Sequence, residues 1–358
     1  MVQALTLERA TAAVGIVAAL AYAPWWHDLS VAPKLAVVSA GLPALLMLAR
    51  PVYSLGHSLL LAWIGYGTLT LLWTPDFWGG VAGLWLLALF AMAYWIGGAL
   101  SETRAVIRAL AIGVAASGVL VVIEQLTQFR LLSVTLNSGL FSNKNFLAEA
   151  GAVLIVWTVV QREFLLALAL TPTIWFTTSR GAVAAIGAAV IVALWPRFKF
   201  GAAAAALAGA GLLLNSWDHA TASRLEYWKL AILDFTPFGH GLGAFYPNFP
   251  ALHPALPVHL SRPEFPHNEM VNWFYTLGLG SAIPLAFSIW LWRGAGAGPF
   301  RPVLAACAVV AFFGFPLQLP FSVMLFGLVA GIAAGAGGGL CHTVEPRRNH
   351  LQHCAEAK

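Results

Sequence analysis

"WGGVAGLWLLALFAMAYWIGGAL", residues 78–100, runs without a single charged side chain. Wound as a helix at 1.5 Å per residue it reaches roughly 34 Å, enough to cross a hydrocarbon core of about 30 Å. The rest of the chain has the same character. Its 358 residues are 60% hydrophobic and 9% charged, with mean hydropathy +0.80. A water-soluble domain carries about a quarter charged residues, so this chain cannot cover its surface with polar groups and reads as an integral membrane protein. The 15 Trp and 22 Phe suit that class, because aromatic rings settle at membrane–water boundaries.

Apolar runs of spanning length predict an all-α polytopic protein of about twelve transmembrane helices, near 10–26, 31–49, 55–74, 78–100, 104–127, 145–161, 163–179, 181–196, 198–214, 268–292, 301–317 and 320–341. Residues 1–358 form one membrane domain. Ala21-Tyr22-Ala23 resembles a signal-peptidase site, but Pro24 follows at once and the basic n-region is weak, so the first run reads as a retained helix. Small residues crowd "GAVAAIGAAV" and "GAAAAALAGAGLLL", which would let helix backbones approach closely.

Basic residues set the orientation. With the N-terminus cytoplasmic, 12 of the 19 Lys and Arg fall inside, leaving Lys34, Arg130, Lys144, Arg180, Arg224, Lys229 and Arg262 outside. Both termini are then cytoplasmic. Six of those seven outer cations lie between residues 130 and 262, which nominates the middle of the chain as the working face.

The longest non-membrane segment, about 215–266, lies on that outer face between spans 9 and 10. His219, His240, His253 and His259 fall in it and His267 closes it. It opens with "SRLEYWKLAILDF", where Leu225, Trp228, Ile232 and Phe235 recur at helical spacing, so a short helix is expected to lie along the membrane surface with Arg224 and Tyr227 pointing elsewhere. Pro237, Gly239, Gly241 and Gly243 then break regular structure and permit close backbone approach. The two passes between Glu163 and Pro196 have roughly 16 residues each, about 24 Å, so Arg180 at their turn is expected below the outer surface, where an arginine needs a wet or anionic cavity.

Asn143, Lys144 and Asn145 precede the sixth span, with Glu149 one turn inside. Sugar contact and helix capping by Asn145 are both open readings, and Glu149 is a candidate partner for a recessed arginine. Only four Asp occur, at 28, 76, 218 and 234, so no Asp-x-Asp pair exists to hold a metal-bound nucleotide sugar. His253, His259 and His267 match no metal-ligand spacing, and no protease motif is present. Cys307, Cys341 and Cys354 read as free thiols, and Arg347 and Arg348 as a stop after the last helix.

Four stretches, "GLFSNKNFLAEAGAV" (139–153), "TTSRGAVAAIGAAV" (177–190), "RLEYWKLAILDFTPFGHGLGAF" (224–245) and "PHNEMVNWFYTLGLGSAIPLAF" (266–287), resemble in order and spacing the O-antigen ligase and polymerase superfamily. The chain is short for that family, with a compact outer loop. The resemblance implies a bacterial inner-membrane glycosyltransferase working on the periplasmic face. Its donor would be a glycan on polyprenyl (undecaprenyl) diphosphate and its acceptor the lipid A core, with no cofactor and no nucleic-acid partner. It implies that Arg180 and Arg224 hold the diphosphate and that His267 engages the acceptor hydroxyl. Lys144, Asn145, Tyr227, Asn268 and Glu269 are candidate substrate contacts. Asn268 would orient the imidazole or the backbone, and Glu269 would balance positive charge.

The chemistry suits these roles. A guanidinium offers diphosphate a planar, permanently charged fork, and a histidine titrating near neutrality can take the hydroxyl proton. Repeat-unit polymerase and protein O-oligosaccharyltransferase are alternatives within the superfamily. An anion transporter is the alternative outside it, though no repeated halves are evident in the chain.

Overall fold

The computed structural model describes residues 2–23, 30–50, 53–129, 136–141, 143–195, 198–199, 219–252, 265–296 and 298–336. Every regular element among them is helical. In chain order these are α1 (Val2–Leu20), α2 (Val31–Leu48), α3 (Leu55–Thr70), α4 (Phe77–Ala99), α5 (Arg104–Thr127), α6 (Lys144–Val160), α7 (Phe164–Leu170), α8 (Pro172–Trp175), α9 (Arg180–Leu194), α10 (His219–Leu233), α11 (Phe245–Leu252), α12 (Glu269–Leu277), α13 (Ala282–Gly294), α14 (Arg301–Phe313) and α15 (Pro320–Ala336), with 3-10 turns at Gly278–Ser281 and Pro316–Gln318.

Four stretches among the described residues are long and apolar enough to cross a membrane: Val31–Leu48, Phe77–Ala99, Arg104–Thr127 and Glu269–Gly294. Shorter apolar helices occupy Phe164–Trp175, Arg180–Leu194, Arg301–Phe313 and Pro320–Ala336. The uncharged run 78–100 is therefore one helix, capped by Asp76, whose Oδ1 accepts from the Gly79 amide at 2.9 Å. Elsewhere the expected spans are remade. The first helix starts at Val2 rather than residue 10, and the seventh expected span is two short helices divided at Thr171, with Pro172 opening the second. The stretch 269–294 is broken at Gly278, whose φ of +58° ends α12. The run 301–317 loses its helix after Phe313, where Gly314 and Pro316 follow. Residues 200–214 of the expected span 198–214, the loop residues 253–264, Arg130, Arg262, His253, His259, Cys341, Cys354, Arg347 and Arg348 lie outside the described residues.

α15 is the axis of the bundle: residues 320–333 are all buried. It packs most extensively on α4, and glycines make that contact close. A Cβ at Gly97 would stand 2.6 Å from the Leu328 carbonyl oxygen, and one at Gly327 would stand 2.6 Å from that of Phe90. The small-residue helix α9 buries only Ala182, Ala185 and Ala189, one narrow stripe against α14 and α6. Its other flanks are apolar and exposed, as are Met47, Leu72, Leu165 and Trp175, each more than three-quarters accessible. Apolar surface of this extent fits a lipid environment.

The two ends of the bundle differ. At one, Arg108 and Arg104 hydrogen-bond Glu163 and hold its carboxyl below the usual range. At the other, Lys34 donates to the carbonyls of Ala18, Ala19 and Ala21 and so caps the C-terminus of α1. The glycine-rich segment after α10 is sewn onto that second end. His240 and Gly241 amides donate to the Tyr275 and Thr276 carbonyls at 3.0 and 2.9 Å, and Thr74 Oγ1 donates to the Leu242 carbonyl at 2.6 Å. Gly243, at φ +79°, lies so close to Gly79 that a Cβ there would meet its carbonyl carbon at 2.6 Å. Close backbone approach is thus what these glycines provide.

Candidate functional site

The site forms around residues 313–318, where α14 stops and α15 has not begun. Gly314 leaves room for a carboxylate: a Cβ there would fall 2.8 Å from Glu149 Oε1. Glu149 projects from α6 and is 6% exposed. Arg224, in the first half of α10, donates from Nη1 to the Phe313 carbonyl at 3.4 Å, and its charge acts on both Glu149 and His267. A buried carboxylate beside a guanidinium is far cheaper than either alone in an apolar interior.

His267 precedes α12 and has φ +56°, a left-handed conformation uncommon for a residue with a side chain. Its ring meets the Phe315 ring edge-on with centroids 5.0 Å apart. The turn carrying it is held by Trp228, whose indole N–H donates to the Pro266 carbonyl at 2.7 Å. Burial and the positive charge of Arg224 push the imidazole down to about 4. The expectation of titration near neutrality is therefore corrected: in the ligand-free protein His267 is a neutral imidazole at physiological pH.

Asn268 and Glu269 take structural partners. Asn268, 1% exposed, caps α12 by accepting from the Val271 amide at 3.1 Å, so it orients backbone rather than the imidazole. Glu269, fully buried, accepts from the Leu317 amide at 2.8 Å and stands beside the Asn272 and Gln318 side chains. It ties α12 to the link before α15. The polar triplet ahead of an apolar helix thus supplies a strained histidine, a helix cap and a cross-tie.

Arg180 is the first residue of α9 and is exposed among the protein atoms. Its neighbour Gly181 lies against Phe313, at ordinary contact distance for a Cβ, so α9, which Arg180 opens, and Arg224 of α10 both reach Phe313. The arginine acting on Glu149 is Arg224, from α10. Asn145 shares a face of α6 with Glu149 four residues on. The cap of that helix is Asn143, whose Oδ1 accepts from the Asn145 amide at 2.8 Å, and Lys144 beside it is exposed.

Tyr227 is placed differently from its expected contact role. It is 7% exposed and packs edge-on against Phe249 in a small core with Ala231, Phe245 and Tyr275. The inward face of α10 is therefore Tyr227–Ala231, while Leu225 and Ile232 are exposed.

Two cavities adjoin this region. One, of about 490 Å³, is lined by Trp63, Asp76, Tyr246, Asn272, Trp273 and Gln318 among others. A second, of about 150 Å³ and almost wholly apolar, shares Trp63, Phe90, Trp273 and Leu317 with it. Sequence reading missed both, together with the 313–318 segment. The available signal was "FFGFPLQLP" (312–320), a Gly, two Pro and a Gln interrupting an apolar run. No family model matches the chain and no curated protein matches it, so the site speaks through its own geometry.

Proposed function

We propose that this protein is a membrane glycosyltransferase of the O-antigen ligase type. It would transfer a glycan from a polyprenyl diphosphate to an acceptor hydroxyl, by inverting displacement, on the periplasmic face of a bacterial inner membrane. The acceptor that best suits the family resemblance is the lipid A core. The twelve-span topology, with both termini cytoplasmic and 215–266 outside, belongs to the same proposal. The observation that carries it is the meeting of Arg224, from the outer helix, with the neutral imidazole of His267 at the Phe313–Phe315 turn, which Arg180's helix also reaches.

In this mechanism an acceptor oxygen attacks the anomeric carbon while His267 takes its proton. The bond from that carbon to the diphosphate oxygen breaks, and the polyprenyl diphosphate leaves with the electron pair. Arg224 and Arg180 stabilise the charge that builds on the departing oxygen, an electrostatic contribution already in place before reaction. Glu149, facing Arg224, keeps the guanidinium oriented when no donor is bound.

Glycan transfer in reconstituted membranes, with EDTA present, tests the reading. His267→Ala and Arg224→Ala are each expected to lower the transfer rate on the order of 10²-fold or more. Wild-type rates in both variants would remove these residues from the chemistry. An anion flux in the same vesicles, with no transfer, would favour the transporter.

A further inference from the structure

The larger cavity is chemically unlike the arginine site. Among the described residues its only charged lining residue is Asp76, a carboxylate, and neither Lys nor Arg lines it. Trp63, itself 4% exposed, and Trp273, half-buried, meet edge-on in its wall, 5.1 Å between centroids, and give it aromatic lining. Asn272 and Gln318 add two amides, placed beside the buried carboxylate of Glu269. Sugar rings have this dual character, with C–H faces for aromatic rings and hydroxyls or acetamides for amides. At about 490 Å³ the cavity falls within the ~300–1,000 Å³ of small-ligand sites. Diphosphate, by contrast, would meet Asp76 with no cation among the described lining residues to offset it.

The cavity also stands next to the reacting groups. Phe265 lines it, its ring lies 5.1 Å from that of Phe315, and Phe315 in turn meets His267. One aromatic side chain separates the cavity wall from the imidazole.

We propose that this cavity is the acceptor subsite and that it takes an uncharged saccharide end, one without phosphate or carboxylate, between the two tryptophans and the Asn272 and Gln318 amides. This rests on the transferase reading. It divides the work of the molecule: the cationic site holds the donor's diphosphate, and the carboxylate-bearing cavity holds neutral sugar and rejects anionic sugar.

Gly83 gives a clean test. It lines the cavity, and a Cβ built on it meets nothing within 4 Å, so Gly83→Phe fills the space without a backbone clash. Saturation-transfer NMR on protein in nanodiscs free of sugar detergent would use di-N-acetylchitobiose, maltose and cellobiose, with N-acetylglucosamine 6-phosphate as the anionic probe. At least one neutral disaccharide is expected to receive saturation, falling about tenfold in Gly83→Phe and severalfold in Gln318→Ala, with the phosphate giving little signal. No saturation of any neutral sugar, an equal signal in Gly83→Phe, or an equal signal from the phosphate would overturn the assignment. Binding of a polyprenyl-diphosphate glycan, measured separately, is expected to survive Gly83→Phe and to fall in Arg224→Ala. Loss of donor binding in the wild type would sink the transferase reading while leaving the saccharide result standing.

Discussion

His267 couples burial to chemistry. With its imidazole pushed down to about 4 by burial and by Arg224, it holds a free lone pair across the physiological range but is a weak base. A bound diphosphate would offset the Arg224 field and raise the imidazole's basicity. The acid limb of kcat/KM, which reports free protein, is therefore expected near 4, and that of kcat at higher pH; coincident limbs in the two pH–rate profiles would contradict the coupling. The same depression bears on stability. The unfolded chain, with histidine near 6.5, binds the proton first as pH falls, so this contribution is present above 6.5 and is lost on descending through 4. Acid denaturation of His267→Gln should lack that component. Gly314 offers a second residue-scale test: its Ala variant would press on Glu149 Oε1 at 2.8 Å, costing about 1–3 kcal/mol and lowering transfer by tenfold or more. Thermal melting and initial rates check both. Arg224 and His267 could be nominated from side-chain type and motif. The Gly314–Glu149 fit could not, because nothing local in "FFGFPLQLP" records which distant carboxylate it must accommodate.

At the scale of elements, packing depends on where backbones must touch. The α4–α15 contact rests on Gly97 and Gly327, so Gly327→Leu should destabilise the bundle by about 2 kcal/mol or more, visible as a lower unfolding temperature in detergent. An equivalent substitution at Gly187 of α9, where an added Cβ meets nothing within 4 Å, should leave that temperature almost unchanged. Sequence reading marked the small residues of α9, which packs on α14 and α6, and those of 201–214, which lie outside the described residues, but it did not mark the α4–α15 pair. It likewise found the Leu225–Ile232 stripe of α10, which it laid along the membrane surface and which is exposed in the protein, but it did not anticipate that Tyr227 and Ala231 form the face buried against the protein. Hydrophobic spacing marks a helix and its apolar positions. Lipid and protein interior are both apolar, so spacing alone does not say which apolar stripe faces which.

For the whole molecule, the charge distribution predicts sidedness that can be measured directly. In a background lacking Cys341 and Cys354, a cysteine at the exposed position Lys144 should label from the periplasm, and one at the exposed position Lys199 only from the cytoplasm. The reverse pattern would invert the topology and with it the proposed face of catalysis. The chain's composition and run lengths by themselves determined that this is a helical membrane protein. Both are one-dimensional quantities weighed against a fixed hydrocarbon thickness, and residues 78–100 alone nearly suffice. The tertiary structure decided which arginine meets Glu149, that Asn268 and Glu269 serve the backbone, and that a cavity with no cation among its described lining residues lies two rings, Phe265 and Phe315, from His267. These follow from helix breaks at Gly278 and Gly314 and from contacts between segments far apart in the chain, where shape and buried charge, rather than hydropathy, select the partner.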